Sequence, residues 1–145
     1  MTLRHIDFEA VIFDMDGVLI DSEPLWKIAM AEVFASIGSK LTKKDFQKTV
    51  GLRIDEVIRF WYHHEGWKNC APEDIEAQIL AKMCELIELH GETLEGVINT
   101  LNYLKANKIK VGLATSSYQI LINAVLEKLK IADYFDFTHS AEFES

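Results

Sequence analysis

Two aspartates, Asp14 and Asp16, stand two residues apart directly after the apolar run of residues 8–13. A carboxylate at the exit of a buried strand loses its water, so this pair needs a cation or hydrogen-bond donors beside it. Mg²⁺ suits the position because it prefers oxygen ligands and is held by one or two carboxylates together with substrate phosphate. One carboxylate could then attack phosphorus. The other, beyond the bend at Gly17, could act as general acid and then as general base.

A second apolar run, residues 109–114, ends in Thr115 and Ser116. Ligands of parallel sheets bind beyond the carboxyl ends of the strands, so we expect this segment to lie beside the aspartates. Phosphoryl transfer needs hydrogen-bond donors, and the Thr115 hydroxyl and the Ser116 amide, close to a helix start, can supply them. Backbone amides after the first strand are further candidates for binding phosphate, namely those of Met15, Asp16 and Gly17.

Each motif alone has a plainer explanation. An isolated Asp-x-Asp is common in turns and helix caps, and a threonine such as Thr115 is more often a turn residue than a phosphate ligand. The two motifs together, each at the end of a predicted strand, favour a catalytic site.

The rest of the pattern indicates which elements position these residues. Predicted strands at residues 8–13, 109–114 and 135–138 alternate with helices, which is typical of an α/β fold with a parallel sheet and right-handed crossovers. Between the first strand and Gly91 the pattern is helical, beginning at Ser22, a candidate N-cap. Two apolar stripes with helical spacing follow: Ile54, Val57, Ile58 and Trp61, then Ile75, Ile79, Met83 and Ile87. The sequence therefore predicts a small helical bundle inserted into the sheet domain.

Composition excludes several classes of partner. The chain carries a formal net charge of −8, which argues against nucleic acid because its phosphates require a basic surface. No apolar run has the length of a membrane span and no signal peptide opens the sequence. Cys70 and Cys84 have no metal-like spacing. A reduced, cytoplasmic setting without a membrane partner is therefore expected.

Three segments, FDMDGVLIDSEPLW, GLRIDEVIRFWY and VGLATSSY, resemble the haloacid dehalogenase superfamily. Within it the sequence is most similar to hexitol- and 2-deoxyglucose-6-phosphate phosphatases, with beta-phosphoglucomutase a near relative. The resemblance implies an incomplete Rossmann-like core, residues 1–21 and 93–145, with a helical-bundle cap at residues 22–92. It also implies Mg²⁺-dependent hydrolysis of a small sugar or polyol phosphate through a phosphoaspartyl intermediate.

The resemblance also implies roles for the residues of the two motifs. It makes Asp14 the nucleophile and a Mg²⁺ ligand through its side chain. It makes Asp16 the acid and base, with its backbone carbonyl on the metal. Thr115 matches the family's second-motif hydroxyl, and Ser116 matches the amide beside it.

Residues of the predicted cap are weaker candidates for binding the sugar. Glu23 and Arg53 stand where family members contact substrate, although a solvated arginine is an equal alternative at position 53. Trp26 is expected to pack between cap and core. His63 and His64 are expected to be solvated, because adjacent residues of a helix point about 100° apart.

The family also has features that this sequence does not match. The family has a third motif, a lysine, and a fourth, an acidic pair or triplet, and residues up to Ser145 supply neither. We therefore expect half of a sheet, with the first strand unpaired on one side and prone to self-association, and negligible turnover by the 145-residue chain. A mutase and a non-catalytic fragment are the alternatives to a phosphatase.

Overall fold

A parallel sheet of three short strands forms the base of the computed structural model, which describes residues 8–144. The strands β1 (Ala10–Phe13), β2 (Lys110–Thr115) and β3 (Phe137–Ser140) lie side by side in that order. Phe13 pairs with Leu113, and Thr115 pairs with Ser140. All three strands therefore end at the same edge of the sheet, and the predicted α/β class is confirmed.

Helices α5 (Val97–Ala106) and α6 (Gln119–Leu129) precede and follow β2 in the chain. Their buried positions repeat every three or four residues and join Val111 and Leu113 of β2 in the core: Val97, Leu101 and Leu104 from α5, and Leu121, Ile122, Val125 and Leu126 from α6. This packing holds β2 at the centre of the sheet.

The first strand differs from its prediction as a strand buried on both faces. Ile12 is 61% exposed, and Phe137, two strands away on the same cross-strand row, is 46% exposed. Among the described strands, β1 pairs with β2 alone, as predicted, so it is an edge strand. An edge position and an uncovered sheet face together explain the exposure of Ile12.

Four helices are inserted between β1 and α5, and we call them the helical insert: α1 (Glu23–Ser36), α2 (Lys43–Phe46), α3 (Ile54–Glu65) and α4 (Pro72–His90). A 3₁₀ turn, Gln47–Thr49, follows α2. Both predicted apolar stripes are buried, so the bundle is confirmed. His63 and His64 are exposed, as expected.

The insert joins the sheet domain through two chain segments that run side by side. Ile20 pairs antiparallel with Thr93, and the Leu94 amide donates to the Leu19 carbonyl at 3.1 Å. Helix α4 also packs against α1 and α3 within the insert and against α6 of the sheet domain. The insert is therefore attached to the sheet domain at these two paired segments and along α4.

The boundaries of all three predicted strands shift. The first strand begins at Ala10 rather than at residue 8, and β2 begins and ends one residue later than predicted. The third strand begins two residues later, because a 3₁₀ turn at Ala132–Tyr134 precedes it and Phe135 instead packs edge-on against Phe13. Residues 1–7 of the predicted segment 1–21, and Ser145, lie outside the described residues.

Within residues 8–144, no helix is long and apolar enough to cross a membrane. Cys70 and Cys84 are half-buried free thiols, and burial raises the pKa of Cys84.

The contact between Gly112 and Phe137 provides a test of the sheet register. A Cβ at position 112 would lie 2.0 Å from the Phe137 ring, so Gly112→Ala should lower the free energy of unfolding by about 1–3 kcal/mol through overpacking. Adding Phe137→Ala should recover most of that loss, a coupling that urea denaturation of both single variants and the double variant measures. Additive losses would contradict the register.

Candidate active site

The loop after β1 is a compact turn that carries both aspartates. The carbonyl of Met15, which is 1% exposed, accepts the amides of the three residues Val18, Leu19 and Ile20. Gly17 has φ +75°, a left-handed conformation that glycine adopts without strain. The turn therefore points Asp14 and Asp16 away from the core while anchoring Met15 in it.

Asp14 is the exposed member of the pair. Its Oδ1 accepts the Met15 amide at 2.7 Å. Its second carboxylate oxygen accepts no hydrogen bond from residues 8–144. Asp14 thus presents a free oxygen at the carboxyl edge of the sheet.

Asp16 is half-buried and is held by three side chains from two other parts of the chain. Its Oδ1 accepts the Ser22 hydroxyl at 2.5 Å and the Trp26 indole N–H at 3.4 Å, and its Oδ2 accepts the Ser117 hydroxyl at 2.6 Å. Hydrogen bonds to a charged acceptor are the stronger class in proteins. The carboxylate of Asp16 therefore joins the β1 loop to the start of the insert and to the β2 loop.

The contacts of Asp16 differ from what the sequence predicts for Ser22 and Trp26. Ser22 precedes α1, but its backbone is helical (φ −90°, ψ −14°) and its hydroxyl makes no cap hydrogen bond. The predicted N-cap role is therefore wrong, because the Ser22 hydroxyl donates to Asp16 instead. Trp26 is half-buried and packs against the core, as expected, but its indole N–H also reaches the site.

The β2 loop is built around Thr115 and Ser117. The Thr115 hydroxyl oxygen, buried at 7% exposure, accepts the Ser117 amide at 3.1 Å and keeps its own hydrogen to donate. The Ser140 hydroxyl at the end of β3, 1% exposed, donates to the Ser117 carbonyl at 2.6 Å. The ends of all three strands thus contribute to one hydrogen-bonded loop cluster.

The sequence places Ser117 beside the second motif but assigns no role to it or to Ser140. The signal for Ser140 is only partial, because the sequence predicts that the third strand ends at Thr138, whereas β3 ends at Ser140. Ser117 follows Ser116 directly, and spacing alone does not tell which of the two side chains faces the aspartates.

The predicted phosphate-binding amides are only partly free. The Met15 amide donates to Asp14, and the Gly17 amide donates to the Ile20 carbonyl at 2.8 Å. The expectation of free amides is therefore wrong for these two residues, whose donors the tight turn already uses. The Asp16 amide donates to no group among the described residues.

A cleft of about 380 Å³ separates the sheet domain from the insert. Asp16, Gly17 and Ser116 line it from the sheet domain, and Glu23 and Arg53 line it from the insert. Apolar side chains form much of the insert wall: Met30, Phe46, Val50, Leu52, Ile54 and Val57. Of the predicted site residues in the described chain, Asp14, Met15 and Thr115 are not part of this lining.

Both cationic side chains that line the cleft are paired with carboxylates. Lys27 lies 3.1 Å from Glu23, and the Arg53 Nε lies 3.2 Å from Asp55. Asp16, in contrast, receives only neutral donors. The described residues that line the cleft therefore give it no excess positive charge.

The site offers two oxygens that fit Mg²⁺. Within residues 8–144, no cluster of three or more His, Cys, Asp or Glu side chains could hold a metal ion. The free Asp14 carboxylate oxygen and the Asp16 carbonyl, which accepts no hydrogen bond from the described residues, are oxygen donors on one turn. Two protein oxygens are enough for a cation that keeps several waters.

Tyr118 closes the sheet-domain side of the cleft directly after the β2 loop. It is buried and precedes α6. Burial raises the pKa of its hydroxyl, and the carboxylates of Glu76 and Asp55 raise it further, while Arg53 opposes them. Tyr118 therefore stands where groups from α3 and α4 meet the sheet domain.

A protein-family model described as haloacid dehalogenase-like hydrolase matches residues 11–144. The chain is 37% identical over 134 residues to hexitol phosphatase B of Escherichia coli K12, covering 92% of this chain and 60% of that protein. It is 33% identical to phosphorylated carbohydrates phosphatase of Thermotoga maritima over 88% of this chain and 59% of that protein. The chain thus spans about 60% of the length of these curated relatives.

Solved structures show the same fold. Beta-phosphoglucomutase of Clostridium difficile superposes with a TM-score of 0.76 at 26% identity, covering 94% of this chain and 63% of that one. CbbY of Rhodobacter sphaeroides, solved with phosphate, gives a TM-score of 0.86 at 19% identity over 95% of this chain and 65% of that one. The second likeness shows the fold alone.

Replacing Ser22 by alanine tests the bridge through Asp16. Ser22→Ala should cost about 1 kcal/mol of unfolding free energy, because it removes a buried hydroxyl donor to a carboxylate. In an Asp16→Ala background the same replacement should cost less than half as much, since the acceptor is gone. Ser36→Ala, in the last turn of the same helix, serves as control, and an equal loss in both backgrounds would count against the bridge.

The raised pKa of Tyr118 predicts that the folded chain loses stability at alkaline pH. A folded-state pKa raised above the unfolded value means that the folded state holds this proton more tightly. The resulting stabilisation is complete below the unfolded pKa of about 10 and is lost as pH rises toward the folded pKa. Urea denaturation between pH 9 and the highest pH at which the chain stays folded should therefore show a steeper decline than in Tyr118→Phe. Parallel pH profiles of the two proteins would refute the assignment.

Proposed function

This chain belongs to the haloacid dehalogenase-like hydrolase family, and on that premise we propose that it contributes the nucleophile half of a Mg²⁺-dependent phosphatase. The substrate class is a small sugar or polyol phosphate. The observation that carries the proposal is the hydrogen bond between Asp16 and Ser117, which links the loops after β1 and β2 at one edge of the sheet. Similarity to hexitol phosphatase B and to phosphorylated carbohydrates phosphatase supports the substrate class.

Asp14 is the proposed nucleophile. One oxygen of its carboxylate attacks phosphorus, so an oxygen–phosphorus bond forms to Asp14 while the bond from phosphorus to the sugar oxygen breaks. A proton from Asp16 goes to the leaving sugar oxygen, and the sugar departs as an alcohol. The chain then carries a phosphoaspartyl group at position 14.

Asp16 then acts as base. Its carboxylate takes a proton from water, the water oxygen bonds to phosphorus, and the bond from phosphorus to Asp14 breaks. Inorganic phosphate leaves and both aspartates return to their starting states. Mg²⁺, when bound by the Asp14 carboxylate and the Asp16 carbonyl, supplies charge neutralisation for the phosphoryl group.

The serine hydroxyls beside Asp16 suit a group that must both give and take a proton. Ser22 and Ser117 donate to the carboxylate in this structure. A hydroxyl can also rotate and accept a hydrogen bond, so either serine can stay bonded to Asp16 when that carboxyl is protonated. A lysine clamp would stabilise only the charged form.

Thr115 and Ser116 are the proposed phosphate donors from the second loop. The Thr115 hydroxyl keeps a hydrogen to donate, and Ser116 lines the cleft at the approach to α6. The Asp16 amide, which has no partner among the described residues, is a third donor. Glu23 and Arg53 are proposed to face the sugar from the insert, which acts as a cap.

Two alternatives to the phosphatase have specific support. Fold similarity to beta-phosphoglucomutase favours transfer of the phosphoryl group between sugar carbons. The absence of an unpaired cation among the cleft residues that the structure describes favours a chain that binds phosphate weakly without turnover. The open edge of β1 and the exposed Ile12 support the further expectation of self-association.

Phosphate release from hexitol and hexose phosphates tests the mechanism. We expect no Mg²⁺-dependent release above background from the 145-residue chain, because its cleft supplies no free cation to the transferred phosphoryl group. In a protein that extends over the full length of its relatives we expect release, and Asp14→Asn should lower kcat by about 10³-fold or more.

Matched measurements separate the alternatives. Asp136→Asn, in the turn before β3 and at the opposite end of the strands from the site, is the control for the same chemical change. Robust turnover by the 145-residue chain would contradict the expected inactivity. Phosphate transfer to a second sugar carbon without release would identify a mutase, and full activity of Asp14→Asn would exclude the phosphoaspartyl mechanism.

A further inference from the structure

Ser117 forms hydrogen bonds with residues at the ends of all three strands. Its amide donates to the Thr115 hydroxyl at 3.1 Å, and its own hydroxyl donates to the Asp16 carboxylate at 2.6 Å. Its carbonyl accepts the hydroxyl of Ser140, also at 2.6 Å. The Oδ2 atom of Asp16 accepts no other hydrogen bond from residues 8–144. The donor on that oxygen therefore depends on where the backbone of Ser117 is held.

Ser140 is itself held by the residues that follow β3. Its hydroxyl, which is 1% exposed, accepts the Glu142 amide at 3.1 Å while it donates to Ser117. The residues Ala141–Phe143 form a 3₁₀ turn that Ser140 caps. A buried hydroxyl that both donates and accepts a hydrogen bond uses both kinds of its bonding capacity, so Ser140 is fixed in one orientation.

Glu142 connects the same turn to the far side of the β2 loop. Its Oε2 accepts the amide of Gln119, the first residue of α6, at 2.7 Å. Tyr118 precedes α6 but makes no side-chain cap hydrogen bond, so Glu142 supplies the acceptor that the helix start needs. A negative charge is also favourable at this end of a helix. The loop is thus tied at residue 117 and at residue 119 to one short segment, residues 140–142.

We propose that Ser140 and Glu142, which we call the β3 clamp, are positioning residues that keep the Ser117 hydroxyl on Asp16. Neither side chain lines the cleft, so the clamp acts through the β2 loop and not by touching substrate. The proposal rests on the proposed function, because it takes Asp16 as the group that gives and takes a proton. It deepens that function by giving the third strand a part in holding the acid and base, as supporting hydrogen bonds do in a preorganised site.

Amide hydrogen exchange at Ser117, followed by NMR on the 145-residue chain, tests the clamp itself. Ser140→Ala should speed this exchange by about tenfold relative to core amides of β2, because two hydrogen bonds of the clamp are lost. Glu142→Ala should speed it by about threefold, through the loss of one bond. Glu142→Gln keeps an acceptor oxygen and should retain most of the protection. Glu142 is exposed, so its variants keep the test decisive if Ser140→Ala does not fold.

Binding of inorganic phosphate in the presence of Mg²⁺ tests whether the clamp serves the site. The amide shifts of residues 14–17 and 115–117 report this binding in the same NMR spectra. Ser140→Ala should raise the Kd for phosphate by about threefold or more, because donors on a loosened loop must be ordered when the ligand binds.

Two controls separate positioning from a general loss of stability. Thr49→Val removes another buried hydroxyl that donates to a backbone carbonyl, that of Phe46 in the insert. Glu144→Ala removes an exposed carboxylate two residues beyond Glu142, where it contacts His139. Both variants should leave the relative exchange of Ser117 and the Kd for phosphate unchanged.

The two measurements distinguish failure of the clamp from failure of the proposed function. Unchanged exchange at Ser117 in Ser140→Ala and Glu142→Ala, or an equal change in the controls, would overturn the clamp. Faster exchange with an unchanged Kd would overturn its role in the site. Amide shifts that do not respond to phosphate in any of the proteins would count against the proposed function, while the exchange rates would still decide the clamp.

Discussion

The carboxylate of Asp16 connects the parts of this structure that the chemistry needs. Hydrogen bonds from Ser22, Trp26 and Ser117 bring the first strand's loop, the start of the insert and the second strand's loop to a single group. A half-buried carboxylate must be compensated where it lies, and here neutral donors compensate it. The same contacts that satisfy its charge therefore fix the orientation of the insert's first helix relative to the sheet.

Parallel pairing makes this convergence possible. Because all three strands run in one direction, their carboxyl ends meet, and Ser140 at the end of β3 can reach the carbonyl of Ser117. The residue that bonds Asp16 is thus itself held by the third strand. Positioning residues of this kind reduce the motion of a site without touching substrate. The arrangement explains why the buried hydroxyls of Ser22, Thr115 and Ser140 lie at one edge of an otherwise apolar core.

The sequence predicted the fold and the two central motifs because each leaves a strong local signal. Apolar runs ending in Asp14 and in Thr115 identify strand ends, and the spacing of Ile75, Ile79 and Met83 identifies a buried helical face. The sequence could not predict contacts that depend on how distant elements of the chain pack together. The hydroxyl of Ser22 has two compatible roles, as a cap for α1 or as a donor to Asp16, and only the relative position of insert and sheet decides between them.

Electrostatics provides the last constraint. A chain with a formal net charge of −8 presents its cleft to an anionic ligand, and the cations in the cleft lining are already paired. Attraction over distance therefore cannot guide the substrate. What remains is short-range: hydroxyl and amide donors at the strand ends, an apolar wall on the insert, and oxygens suited to a divalent cation on the turn after β1. Under the proposed function, a ligand's phosphate and a cation should bind here together, because the phosphate alone would meet the carboxylates and the cation alone would keep more of its water.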